Sequence, residues 1–201
     1  MSPKLVAAAL AVSLTACGPI VQIGGGGAPP SSLLALDPAR TPEGEPTGAP
    51  IMVSLPEVPG KLRTVRIPVT TSSTEVEYLA AATWVEQPNL LFQQLLMDVM
   101  AADLGRPVID EGSVSVVPAM RLSGSLAEFG LDVSGRPEVV VRYDALLTAP
   151  HSGFVSSRTF TVRRPVATQT GPAVAAALSE AANEVAGALA AWVAAKAPTP
   201  G

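Results

Sequence analysis

Residues 137–164, PEVVVRYDALLTAPHSGFVSSRTFTVRR, are the stretch that decides the fold. Residues 137–148 and 154–164 alternate between apolar and polar side chains, which is the period of a strand with one buried face. Between them, APHSG at residues 149–153 contains the residue types that favour turns. A connection this short joins antiparallel neighbours. The stretch therefore predicts two long antiparallel strands.

A third alternating segment, residues 113–130, comes before this pair, and DVSGR at residues 132–136 supplies the turn between them. The three segments together predict an antiparallel meander. Shorter strands are predicted nearer the N-terminus, at residues 32–36, 51–55, 64–68 and 74–80.

Two helices complete the predicted fold. Pro88 begins the first helix, which runs to about Leu104 and ends at the Gly105-Arg106-Pro107 stop signal. Gly171-Pro172 begins the second, which runs to about Lys196. Its apolar stripe is Val174, Leu178, Ala181, Val185, Leu189 and Trp192, and the opposite side carries Ser179, Glu180, Asn183 and Glu184. We therefore predict an α+β fold, with an antiparallel sheet and two amphipathic helices packed on one face.

The N-terminus, MSPKLVAAALAVSLTACG, has the layout of a bacterial export signal. Lys4 supplies a positive charge, and the apolar run at residues 5–14 is too short to cross a bilayer, which needs about 20 apolar residues. Leu14-Thr15-Ala16-Cys17 resembles the lipobox of lipoproteins, in which cleavage after the small residue Ala16 frees the cysteine for acylation. Cys17 is the chain's only cysteine. The alternative is a generic signal peptide followed by an unmodified thiol.

This interpretation divides the chain into a signal peptide at residues 1–16, an acylated cysteine and Gly/Pro-rich tether at residues 17–31, and one domain at residues 32–197. The acyl chains, palmitate among them, would hold the protein on the periplasmic face of a membrane. Enteric sorting rules retain lipoproteins with Asp after the acylated cysteine in the inner membrane. By analogy, Gly18 at that position favours the outer membrane.

The remaining composition argues against several function classes. The net charge of −4 becomes −5 when Lys4 leaves with the signal peptide, and no basic cluster is present, so no nucleic-acid partner is expected. His151 is the only histidine and cannot build a zinc site with an acylated cysteine. Asp110 and Glu111 are adjacent in a predicted loop and do not form a catalytic pair across a cleft. We expect no enzyme activity, metal or cofactor.

Two apolar features have both a structural and a functional interpretation. Trp84 is either an anchor on a partner-binding surface or part of the core beneath the helix that begins at Pro88. Trp192 is expected in the core. Residues 90–92, Leu-Leu-Phe, are expected to pack in the core as well. A helix that is apolar on more than one side could nevertheless bury a second stripe against another subunit or a lipid.

The order of these features resembles the PqiC-like auxiliary lipoproteins of ABC-type transporters, which are encoded beside MCE-domain proteins. The matching segments after the lipobox are LLALDP at 33–38, IMVSLP at 51–56, Tyr78, TWVEQP at 83–88, Phe129, VVVRYDAL at 139–146 and the Ala-rich helix that ends in Trp192. The chain departs from the family at Thr83, where Arg is frequent, and at residues 59–63, PGKLR, where an Asp-Arg-like stretch is frequent.

The resemblance implies a membrane-anchored periplasmic lipoprotein that is a non-catalytic auxiliary component of a lipid transport system. Its implied partners are an MCE-domain protein or another transporter component, together with the membrane and, as an open alternative, other copies of the chain. A second function class also stays open, in which the protein is an assembly lipoprotein that supports an outer-membrane β-barrel machine.

Overall fold

The computed structural model of the protein describes residues 32–113, 116–150 and 152–196. Ala16, Cys17 and His151 lie outside the described residues. The strands are β1 Ile51–Val53, β2 Arg66–Thr70, β3 Val76–Thr83, β4 Val108–Ile109, β5 Met120–Asp132, β6 Glu138–Ala149 and β7 Phe154–Pro165. The helices are α1 Pro88–Leu104 and α2 Gly171–Lys196, with a short 3-10 helix at Gly60–Leu62.

The sheet is organised around β5. One edge of β5 pairs with β6 along its length, and β6 pairs with β7, so the predicted antiparallel meander is confirmed. The other edge of β5 is shared by two strands, β1 at its start and β2 at its end, and both run parallel to it. Beyond them, β4 pairs parallel with β1, and β3 pairs antiparallel with β2.

The α+β class is confirmed, but the sheet is mixed rather than wholly antiparallel. Parallel pairing arises because the chain between β1 and β5 contains α1, and a crossover through a helix returns in the same direction. The strand predicted at residues 32–36 is reduced to a single bridge between Leu34 and Trp84. It goes no further because the chain then leaves the sheet edge to cross α2.

Both helices begin and end where the sequence predicts. Pro88 is in the first turn of α1, and Gly105 ends it in the left-handed conformation, with φ of 59° and its N–H donated to the Ala101 carbonyl. The predicted stripe of α2 is buried from Val174 to Trp192. Its many alanines give the helix a thin profile, which allows close packing against α1 and the sheet.

The centre of the core is an aromatic cluster between α1 and the sheet. The ring of Phe129 on β5 lies 5.7 Å from that of Trp84 and 6.4 Å from that of Phe92. The ring of Tyr143 on β6 lies 5.4 Å from Phe92. All four side chains are at most 1% exposed. These contacts fix the height and rotation of α1 on the sheet.

Candidate interaction surfaces

Trp84 belongs to the core and is not a surface anchor. Its side chain is 1% exposed and packs against Phe129 beneath α1, with the two rings tilted by 50°. The partner-surface interpretation of Trp84 is therefore wrong for this structure, because a residue that the core covers cannot contact another protein. Trp192 is 7% exposed and meets Phe160 edge to face at 5.7 Å, in the core as expected.

Residues 32–40 form a strap that crosses the outer side of the helix layer. At its start, Leu34 donates its N–H to the Thr83 carbonyl at 2.9 Å and accepts from the Val85 N–H at 2.8 Å. Further along, the Asp37 N–H donates to Ser179 Oγ at 3.0 Å. The Asp37 carbonyl accepts from Asn183 Nδ2 at 2.8 Å.

The far end of the strap contacts both helices. The Ala39 N–H donates to Asn183 Oδ1 on α2 at 2.7 Å, and Arg40 pairs with Asp103 on α1 at 3.0 Å. Gly187 makes room for this arginine, because a Cβ there would lie 2.9 Å from Arg40 Nη2. The strap therefore fixes the point at which the N-terminal chain enters the domain.

Ser179 and Asn183 are the side chains whose role the sequence analysis missed. The helical pattern placed them on the solvent side of α2, but Ser179 is only 9% exposed because the strap covers it. Their spacing of four residues puts them on adjacent turns of one helix face. Two small polar residues at this spacing in an Ala-rich helix were the available signal, since both can bind a neighbouring backbone.

The sheet face opposite the helices, the open face, is formed by the outward side chains of β5, β6 and β7. Its charged end has ion pairs between Arg142 and Asp144 at 3.1 Å and between Arg163 and Glu138 at 2.5 Å. The hydrogen bond from Ser134 and the charge of Arg163 both lower the pKa of Asp132. Exposed pairs of this kind each add about 0–1 kcal/mol to stability. Their ordered arrangement therefore suits recognition better than it explains folding.

The other end of the open face is apolar. Leu146 is 39% exposed and lies between Ser123 and Ser157 in the strand register. Val155, at the start of β7, is 65% exposed. Leu55 follows β1 and is 41% exposed in the same groove as Leu146. The open face thus combines an apolar patch with a charged border, as protein interfaces do.

The described residues contain no group of three or more His, Cys, Asp or Glu side chains placed to hold a metal ion. Asp110 and Glu111 are exposed, and Glu111 lies 3.5 Å from Arg121 in a surface ion pair. Within the same described part of the chain, neither helix has the length and apolar character needed to span a bilayer.

The fold has relatives among solved structures. Protein XCC0632 from Xanthomonas campestris superimposes with a TM-score of 0.69 at 23% identity, over 81% of this chain and 94% of that chain. The crystal structure of an uncharacterized protein gives 0.63 at 14% identity, over 72% and 92%. Both show similarity of fold.

No curated protein sequence matches this chain. The family model described as "ABC-type transport auxiliary lipoprotein component" matches residues 32–190, which span β1 to β7 and most of α2. This confirms the resemblance that the sequence showed. The chain therefore belongs to the family of ABC-type transport auxiliary lipoprotein components.

Proposed function

We propose that this protein is a non-catalytic periplasmic lipoprotein that docks through its open face onto an MCE-domain protein, or another component, of an ABC-type lipid transporter. The observation that carries the proposal is the open face itself. Helices and strap cover one side of the sheet and leave the other side bare. Exposed Leu55, Leu146 and Val155 lie at one end of it, and the ion-paired Arg142 and Arg163 lie towards the other.

The anchor belongs to the same proposal. Acyl chains on Cys17 would hold the protein on a membrane, and Gly18 favours the outer one. The anchor concentrates the open face near its partner without adding contacts to it. Complex formation and membrane attachment are therefore separable activities.

Site-specific photocrosslinking tests the docking surface in living cells. A photoreactive phenylalanine analogue replaces Leu146 on the open face, and a matched chain carries it at Ala188, which is exposed on α2. We expect ultraviolet light to join the Leu146 probe, but not the Ala188 probe, to an MCE-domain protein or transporter subunit. Mass spectrometry of the crosslinked band identifies the partner.

The result also separates the competing functions. Products between the Leu146 probe and components of a β-barrel assembly machine would support the assembly alternative instead. Products of twice the chain's mass would show that copies of the protein pair through this face. Equal products from both positions would mean that the open face is not the docking surface.

A further inference from the structure

A second exposed apolar surface surrounds the point where the strap enters the domain. Leu33, Val85 and Leu90 are 55%, 48% and 41% exposed, and we call them the entry patch. The parallel bridge between Leu34 and Trp84 puts Leu33 and Val85 on the same side of two neighbouring chain segments, in diagonal positions. Leu90 is in the first turn of α1, five residues after Val85.

Local geometry explains why these side chains stay outside the core. Leu34 and Trp84 form a strand bridge and pack inward, so the residues next to them in sequence are directed to the other side. In α1, Phe92 points into the core while Leu90 does not. The entry patch is therefore apolar surface that folding of this domain leaves uncovered.

The position of the patch relative to Cys17 indicates what covers it. Ser32, where the described chain begins, lies fifteen positions after Cys17, so the two are within about 50 Å of each other at full extension. Leu33 is the next residue, so among the described residues the entry patch contains the exposed apolar side chain nearest the anchor along the chain. Val155 lies on β7, at the edge of the sheet opposite β3.

Exposed charges of both signs lie near the patch, with Glu86 next to Val85, Glu77 on β3, and two arginines on the other side of the bridge. The carbonyl of Val65 accepts from the Trp84 N–H at 2.7 Å, and the exposed Arg66 follows Val65, with the exposed Arg63 two residues before it. Neither arginine forms an ion pair with a described residue. Arg66 lies 4.6 Å above the ring of Tyr78. Apolar side chains with arginine and tyrosine beside them are typical of surfaces that bind the headgroup region.

We propose that the entry patch lies in the headgroup region of the bilayer that holds the acyl chains, so that the domain rests on the membrane by its β3 edge. The inference rests on the acylation of Cys17 proposed above. It adds an orientation to the anchor, because the β7 edge and the apolar end of the open face then point away from the membrane towards the partner.

The test uses the full-length acylated protein in phosphatidylcholine and phosphatidylglycerol vesicles. Val85→Cys carries an environment-sensitive fluorophore, and Val155→Cys is the matched control, since both positions are exposed valines and acylation blocks Cys17. We expect the Val85 probe to emit at shorter wavelength and to be quenched several-fold more by lipids spin-labelled near the headgroup. The Val155 probe should instead be quenched by aqueous iodide.

Each other outcome overturns the proposal. Equal lipid quenching at both positions would mean that the domain has no preferred orientation. A blue-shifted Val85 probe without lipid quenching would mean that a second copy or a protein partner covers the patch. If the vesicles fail to float the protein, acylation itself is wrong, whereas flotation without quenching at Val85 contradicts the entry patch alone.

Discussion

The hydroxyl group of Tyr143 is buried and has no hydrogen-bond partner among the described residues. The side chain is fully buried in the aromatic cluster. Gly124 provides the space beside it, because a Cβ there would lie 3.0 Å from the Tyr143 hydroxyl and 2.2 Å from the Asp144 carbonyl. An unsatisfied buried polar group costs about 1–3 kcal/mol, so at this position the tyrosine oxygen opposes folding.

The chain's two tyrosines give a matched pair of variants. Tyr143→Phe should raise the free energy of unfolding by about 1 kcal/mol, because it removes the unpaired oxygen and keeps the ring. Tyr78→Phe should lower it by about 0.5–1 kcal/mol, because the Tyr78 hydroxyl donates to the Lys61 carbonyl at 3.3 Å. Denaturant melts measure both changes. A loss of stability in Tyr143→Phe would reveal a partner for its hydroxyl.

The same residue predicts a dependence on pH. Burial raises the pKa of Tyr143, whereas in the unfolded chain a tyrosine ionises near a pKa of about 10. Above about pH 10 the unfolded state loses the proton and the folded state keeps it, so stability falls as the pH rises. We expect melting temperatures to fall less steeply between about pH 9 and 11 in Tyr143→Phe than in the wild type. Parallel curves would contradict this origin of the alkaline loss.

At the scale of an element, α2 is the larger cover of the sheet. Leu189 is fully buried in its stripe, and the neighbouring Ala188 is exposed. Leu189→Asp should lower the free energy of unfolding by more than the loss of about 2–5 kcal/mol that is usual when a buried leucine side chain is removed. The buried carboxyl group adds to that loss. Ala188→Asp should cost only about 0.5–1 kcal/mol, the difference in helix propensity between the two residues. Thermal melts compare the two, and equal melting temperatures would mean that α2 is not part of the core.

For the whole molecule, attachment to the membrane should depend on one atom, the sulfur of Cys17. The described helices do not span a bilayer, and Cys17 is the only thiol available for acylation. Cys17→Ser should therefore leave either an unprocessed precursor or a chain that moves from the detergent phase to the aqueous phase. Detergent-phase partitioning and the mass of the N-terminal peptide measure this. A serine variant that partitions like the wild type would disprove the lipobox.

The sequence alone determined the features that rest on local interactions. Pro88 at a helix start and Gly105 at a helix end act within one turn, so both ends of α1 were predicted. The alternation in residues 137–164 likewise predicted β6 and β7, because a short turn allows only antiparallel pairing. The family could be recognised from the sequence for a related reason, because the resemblance rests on the order of such local segments.

Only the tertiary structure decided which distant segments meet. Pairing of β1 and β2 with β5 joins residues about 60 to 70 positions apart, and no local sequence pattern identifies so distant a partner. Ser179 is buried because Asp37, 142 residues earlier, crosses its helix. Leu33 and Val85 became one exposed patch for the same reason. Strand alternation fixes which neighbours share a face, but the burial of a face depends on what the rest of the chain places over it.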